Sequence, residues 1–175
     1  MQPLTPEQWE DLLVSCNLSA SHLEMRDWYA ADDERARFER FLATGRRDHA
    51  AEYPERRPWL DLVRRVTGAG VRVRRARIVS EPVSAYIAFE WHGAAPAIKS
   101  GEELRWLPRR LASGIALPGN DFWLLDESRA MFNHFSGDGK PLGQEITDDP
   151  ATIELCRAAF ETVWKLATPH DKYQT

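Results

Sequence analysis

The sequence predicts an α/β layer fold, and three observations predict it. A helical stripe stops at Gly68-Ala69-Gly70 and runs straight into the β-branched stretch Val71–Val79. An almost wholly apolar strand, Asp121–Asp126, follows the turn Pro118-Gly119-Asn120. A long helix opened by Asp149-Pro150 carries Ile153, Leu155, Cys156, Phe160, Val163, Trp164 and Leu166 inward. Switching between periods of 3.6 and 2 residues in this way builds a sheet with helices packed on it. The 175 residues suit one domain with its own core, and 43% hydrophobic content excludes a disordered chain.

The elements follow in order. Thr5-Pro6-Glu7-Gln8 has the spacing of a capping box with proline at the first helical position. Trp9, Leu12, Leu13 and Cys16 then share one face. Ser19-Ala20-Ser21 breaks that helix, and His22–Tyr29 alternates in part, as a short strand does. A helix over Ala31–Ala43 turns Phe38, Phe41 and Leu42 inward and ends at Gly45. Residues 45–57 are polar and hold Pro54, so they read as a surface loop. Pro58 starts the next helix, with Trp59, Leu62, Val63 and Val66 inward. After strand Val71–Val79, Ser80-Glu81-Pro82 leads into a helix over Val83–Trp91. His92–Ser100 reads as a connector and Glu102–Leu107 as a strand. Asp121–Asp126 and Ala130–Phe135 form a hairpin, Ser136–Lys140 a tight turn, and Gly143–Ile146 a further strand. Residues after Thr168 read as a polar tail.

Composition removes several classes of function. No apolar run approaches the roughly 18 residues of a membrane span, and Met1-Gln2-Pro3 leads into no signal-peptide core. Cys16 and Cys156 both sit among apolar neighbours in helical patterns, which predicts free thiols and a reduced, cytoplasmic setting. His22, His49, His92, His134 and His170 show no metal-ligand spacing with one another or with a cysteine. Thr67-Gly68-Ala69-Gly70 precedes a strand, whereas a phosphate loop follows one, so it is a helix stop. No nucleophile elbow and no cofactor motif is present.

Charge is uneven. The net charge is −4, yet Arg46, Arg47, Arg56, Arg57, Arg64, Arg65, Arg72, Arg74, Arg75 and Arg77 crowd one stretch. On strand Val71–Val79, Arg75 and Arg77 continue the side that Val71 and Val73 begin. Two arginines leaving a buried face require carboxylates or a ligand, with Glu81, Asp121 and Asp126 as the nearest candidates.

The block Gly119-Asn120-Asp121-Phe122-Trp123-Leu124-Leu125-Asp126, with Phe160, Trp164, Ala167 and Pro169 in the closing helix, resembles the C-terminal half of phospholipase D-like domains. The resemblance covers about Val71–Pro169. It implies a phospholipase D-like mixed sheet flanked by helices over 58–169, preceded by a helix-strand-helix extension over 1–57 and followed by a tail at 170–175. In that family a His-x-Lys-x-x-x-x-Asp motif supplies a nucleophilic histidine and a phosphate-binding lysine. Laying it on Asp126 puts Gly119 at the histidine and Asp121 at the lysine. Glycine carries no nucleophile, and an aspartate repels phosphate.

At full length the chain is similar to an actinobacterial domain family of unknown function. The shared features are Gly70-Val71-Arg72-Val73-Arg74-Arg75, Val79-Ser80-Glu81-Pro82, Tyr86, Phe89-Glu90, Gly101-Glu102, Leu107-Pro108-Arg109 and Asp121–Asp126. That family implies a helix-turn-helix regulator as partner.

Three function classes follow. The first is a regulatory or protein-binding module without catalysis. Its cleft would use Arg75, Arg77, Glu81, Tyr86, Arg105, Arg109, Asp121, Asp126 and His134 near the strand ends, where α/β folds place ligands. The same polar set also fits a purely structural ion-pair network. The second is nucleic-acid binding through the arginines of 46–77. The third is a phosphodiester hydrolase built on Asp121, Asp126 and His134. A homodimer is a further expectation, since a single phospholipase D-like half is completed by a two-fold mate. Trp28, Trp91 and Trp106 offer its interface.

Overall fold

The computed structural model describes residues 3–175; Met1 and Gln2, where the sequence shows no signal-peptide core, lie outside them. The helices are α1 (Pro6–Val14), α2 (Arg35–Thr44), α3 (His49–Gly68), α4 (Ala85–Gly93), α5 (Ala95–Lys99) and α6 (Pro150–Leu166). The strands are β1 (Ser19–Glu24), β2 (Arg72–Val79), β3 (Glu103–Pro108), β4 (Phe122–Leu125), β5 (Arg129–Phe135), β6 (Pro141–Thr147) and β7 (Thr168–Pro169). They form one mixed sheet in the order β6-β5-β4-β1-β2-β3-β7. β1, β2 and β3 run parallel, and the other neighbours are antiparallel.

Each face of the sheet is covered, as its strands demand. On one side, Leu23, Ala76, Ile78, Phe122 and Leu124 pack under Cys156, Phe160, Val163 and Trp164 of α6. On the other, Ala20, Val73, Trp123, Leu125 and Met131 meet Leu13 of α1 with Leu62 and Val66 of α3. Further along that second face, Phe41, Ile87, Phe89 and Trp106 close the core under α2 and α4. Both cysteines are free and buried, in different clusters.

Several expectations are corrected. β1 lies between β4 and β2 at the sheet centre, so the stretch before residue 58 supplies a central strand, Ser19–Glu24, rather than only an extension to the sheet. β1 also begins earlier than expected, at Ser19, and ends at Glu24. Residues 49–57 are helical despite Pro54 and Pro58, each of which removes one ladder bond. Tertiary pins override that cost. Asp48 caps the helix by accepting from Ala51 N at 3.0 Å. Glu52, in its first turn, is held in a buried fork by Arg47, whose Nε lies 2.9 Å away.

The His92–Ser100 connector contains the end of α4 and all of α5. Leu42, Leu155 and Leu166 face solvent instead of the core. The expected polar tail is anchored: Tyr173 is buried, its ring stacked on Trp106 with centroids 5.7 Å apart. Trp106 is therefore core and offers nothing to an interface, whereas Trp28 is exposed.

Candidate functional site

The parallel pairing of β1 with β2 sets His22 beside Arg75 and Glu24 beside Arg77, all on the face that looks toward α3 and α4. Charged side chains thus replace the apolar row that Ala20 and Val73 begin. Glu24 is shared between the two arginines. Its Oε1 lies 2.5 Å from Arg75 Nη1 and its Oε2 lies 2.8 Å from Arg77 Nε. Arg75 Nε also donates to Glu102 at 2.6 Å, and Arg77 donates to Glu90. The result is a buried row, Glu102–Arg75–Glu24–Arg77–Glu90, with three carboxylates around two guanidinium groups. Burial opposes the charge on Arg75, but Glu102 and Glu24 outweigh it and raise its pKa. Glu24 and Glu90 do the same for Arg77. Neither arginine retains free charge to offer an anion.

Aromatic rings wall the row. Arg75 Cζ stands 5.8 Å from the Trp59 ring and 5.9 Å from Trp123, while Arg77 Cζ stands 5.6 Å from Trp106. His22 stacks on Trp123 at 4.2 Å. Burial, with the charges of Arg75 and Arg77, drives the His22 pKa well down, so the ring is neutral.

Two acids at the mouth behave differently from the row. Asp121 accepts from Met25 N at 2.9 Å and from the Tyr29 hydroxyl. Burial, with a contribution from Glu24, still raises its pKa to about 6. Glu34 accepts from the Tyr86 hydroxyl at 2.6 Å, yet burial and Glu90 raise it to about 7. Burial thus holds both toward the protonated form, with Arg37 reaching Glu34 only at 3.9 Å and no salt bridge to Asp121 among the described residues. A cleft of about 650 Å³ lies over Arg75, Trp59 and Glu102, and a pocket of about 330 Å³ lies over His22, Asp121 and His134. Asp33, Glu34, Arg75, Arg77, Glu90 and Trp123 border both.

The sequence-derived set divides. Arg75, Arg77, Tyr86, Asp121 and His134 come together around the pocket. His134 pairs with Glu145 at 3.2 Å across the β5–β6 ladder. Arg109 belongs to a neighbouring cluster, donating to Met25 O at 2.7 Å and to Asp27 at 3.2 Å. Glu81 accepts from the Tyr173 hydroxyl at 3.0 Å. Arg105 points to the opposite face of the sheet, where it reaches Trp164 O at 2.9 Å. Asp126 sits at the far end of β4 from Asp121, because the two residues flank the strand Phe122–Leu125. There its carboxylate accepts from Asn17 N, Leu18 N and Ser19 N at 2.8, 2.8 and 3.0 Å.

None of Glu81, Asp121 or Asp126 is the partner of Arg75 or Arg77; Glu24, Glu90 and Glu102 are. Sequence reasoning missed those three, with His22, Tyr29 and Glu34. The one available signal was the alternation Ala20-x-His22-x-Glu24, which puts an imidazole and a carboxylate on the face of the arginines.

Three parallel strands continued by an antiparallel hairpin, with helices on both faces, define the class. The chain has a phospholipase D-like fold. Among solved structures it is similar to a phospholipase D family member, Nuc from Salmonella typhimurium, at 12% identity and a TM-score of 0.51; the match covers 95% of this chain and 88% of that one. NucT from Helicobacter pylori is also similar, at 11% identity and 0.48, covering 93% and 89%. So is TrmBL2, an archaeal chromatin protein, at 11% and 0.47, covering 92% of this chain and 48% of that one. By sequence, the chain belongs to the DUF6879 family, a domain of unknown function whose model matches residues 7–175. Comparison with curated proteins finds no match. No helix among the described residues is long and apolar enough to cross a membrane.

Proposed function

We propose that this domain is a non-catalytic recognition module on a phospholipase D-like scaffold, working in the cytoplasm as the partner of a helix-turn-helix regulator. The observation that carries this reading is the saturation of Arg75 and Arg77 by Glu24, Glu90 and Glu102 beneath a pocket edged by Asp121. Phosphodiester chemistry needs a nucleophile and a cation that meets the developing negative charge. Here a carboxylate stands at the lysine position of the family motif, and glycine stands at the histidine position. Packing does not dictate that glycine, since a side chain at Gly119 would meet open space.

The arginines of 46–77 support the same reading. Arg57 and Arg64 pair with Asp61, Arg65 with Glu10, Arg74 with Glu161 and Arg47 with Glu52. Arg56 donates to Gly93 O at 2.8 Å. With Arg75 and Arg77, seven of the ten arginines stand in salt bridges, Arg57 and Arg64 sharing the one carboxylate of Asp61. The stretch therefore offers phosphate groups less charge than its composition suggests.

The test is an assay of the purified chain against a chromogenic phosphodiester. The expected rate equals that of the blank and is the same for wild type, Asp121→Asn and His134→Ala. Turnover above the blank that drops roughly 100-fold in either variant, the size of a lost acid–base group, overturns the reading.

A further inference from the structure

We propose that the pocket between β1, β4 and β5 binds an organic cation, a guanidinium or ammonium group held by Asp121 and Glu34 against His22. This inference rests on the recognition reading above and names the chemistry that the module recognises.

Charge comes first. Asp33, Glu34, Glu90, Glu24 and Asp121 all border the pocket, against Arg75 and Arg77 as its arginines. Those arginines are already held by Glu24, Glu90 and Glu102, and Arg37 stands 3.7 Å from Asp33 and 3.9 Å from Glu34, so five carboxylates face three arginines and Asp121 has no salt-bridge partner among the described residues. An acidic mouth alone would say little. The second observation is His22, which borders the same pocket and is 8% exposed. Its Nδ1 stands 3.2 Å from Glu24 Oε1 without the alignment of a hydrogen bond, and Nε2 has no partner either. A neutral imidazole keeps one acceptor and one donor. Leaving the acceptor unused in a buried position is unfavourable, and an N–H donor, the one kind of hydrogen-bonding group that a guanidinium or ammonium offers, would serve it.

The shape selects the kind of cation. Among the described residues no three His, Cys, Asp or Glu groups come together as a metal ion requires. The walls are instead aromatic: Tyr29, Tyr86, Trp123 and Phe135 border the pocket. Aromatic faces and carboxylates together suit a soft, planar or alkylated cation rather than a hydrated metal. The volume of about 330 Å³ lies at the small end of ligand pockets, enough for one long side chain or a small amine.

The test is calorimetric titration of the full chain with arginine amide, with norleucine amide as the uncharged control and inorganic phosphate as the anion. Arginine amide is expected to bind, and both controls to give no heat of binding. Asp121→Asn and Glu34→Gln are each expected to weaken it by about tenfold, the loss of one charge-assisted bond. Glu34→Gln is the safeguard, because Asp121 also anchors Met25 N and its variant can perturb the fold. A blocked tripeptide with a central arginine separates the sources. Tighter binding than the amide assigns the site to a protein side chain, and weaker binding to a free small cation, both within the proposed chemistry. Phosphate binding better than arginine amide, or cation binding unchanged in both variants, overturns the proposal. Phosphodiester turnover together with cation binding would remove the non-catalytic reading and leave this site standing.

Discussion

Arg77→Met lowers folding stability by roughly 3–5 kcal/mol, the cost of breaking a buried ion pair by removing one partner. Arg77 is buried between Glu24 and Glu90, and methionine keeps much of its stem while deleting the charge. Glu24 retains Arg75 at 2.5 Å, but Glu90 loses the arginine that pairs with it. Its neighbour Glu34 is already pushed up to about 7, mainly by burial and partly by Glu90 itself. Urea denaturation reads the effect as a shift in midpoint at unchanged slope. Arg77→Lys keeps the charge without the fork and is expected to lose less. A loss below about 1 kcal/mol for Arg77→Met would show that water already solvates the row, in the range of surface pairs.

Asp126→Ala is the second effect, expected at about 1 kcal/mol, because of the three donors it abandons only Ser19 N belongs to a buried residue that water does not readily reach. One carboxylate serves the N–H groups of Asn17, Leu18 and Ser19, which lie at the start of the central strand β1. Asp126 itself occupies left-handed backbone, φ 50°, followed by Glu127 at φ 53°. That pair forms the tight turn of the β4–β5 hairpin, closed by Ser128 N to Leu125 O at 3.0 Å. The variant therefore loosens the turn and the strand start together.

The pH dependence has a definite sign. Burial would raise the Asp126 carboxyl, but the N–H groups of Ser19, Asn17 and Leu18 outweigh it and hold it below the usual range. Its contribution is complete above the unfolded value of about 3.9 and is lost as pH falls through the lower folded value. The gap between wild type and Asp126→Ala should thus be constant near neutrality and close in acid. A gap that widens in acid would contradict the cap. Because Asp126 and Asp121 lie at opposite ends of β4, ligand binding at the pocket should be the same in this variant.

Local chemistry was legible in the sequence. The Thr5–Gln8 box forms with both bonds, 2.9 and 3.2 Å, because its partners lie three residues apart. The alternation of Val71–Val79 correctly put Arg75 and Arg77 on the face that Val73 shares, since side-chain direction follows from period 2 alone. What pairs with those arginines was not legible. Glu24 arrives from a neighbouring strand, Glu90 from α4 and Glu102 from the turn before β3, joined only by the fold. Assigning β1 from His22 also hid the run Ala20, His22, Glu24 that shows the charged face. Pro54 and Pro58 concealed the first half of α3, because the Arg47–Glu52 fork that holds it is a tertiary contact. The closing residues looked like a tail because nothing in His170–Thr175 reveals that Tyr173 stacks on Trp106.

The claim on which all this turns is that Arg75 and Arg77, the guanidinium groups on the sheet floor of the cleft, are already matched by this chain's own carboxylates. Fluorescence anisotropy of a labelled single-stranded oligonucleotide, titrated with the protein between about 50 and 200 mM salt, asks that question of the molecule directly. Little or no binding, flat across that range, is the expected result. Tight binding that falls steeply with salt and disappears in Arg75→Ala would mean that the cleft grips phosphate after all.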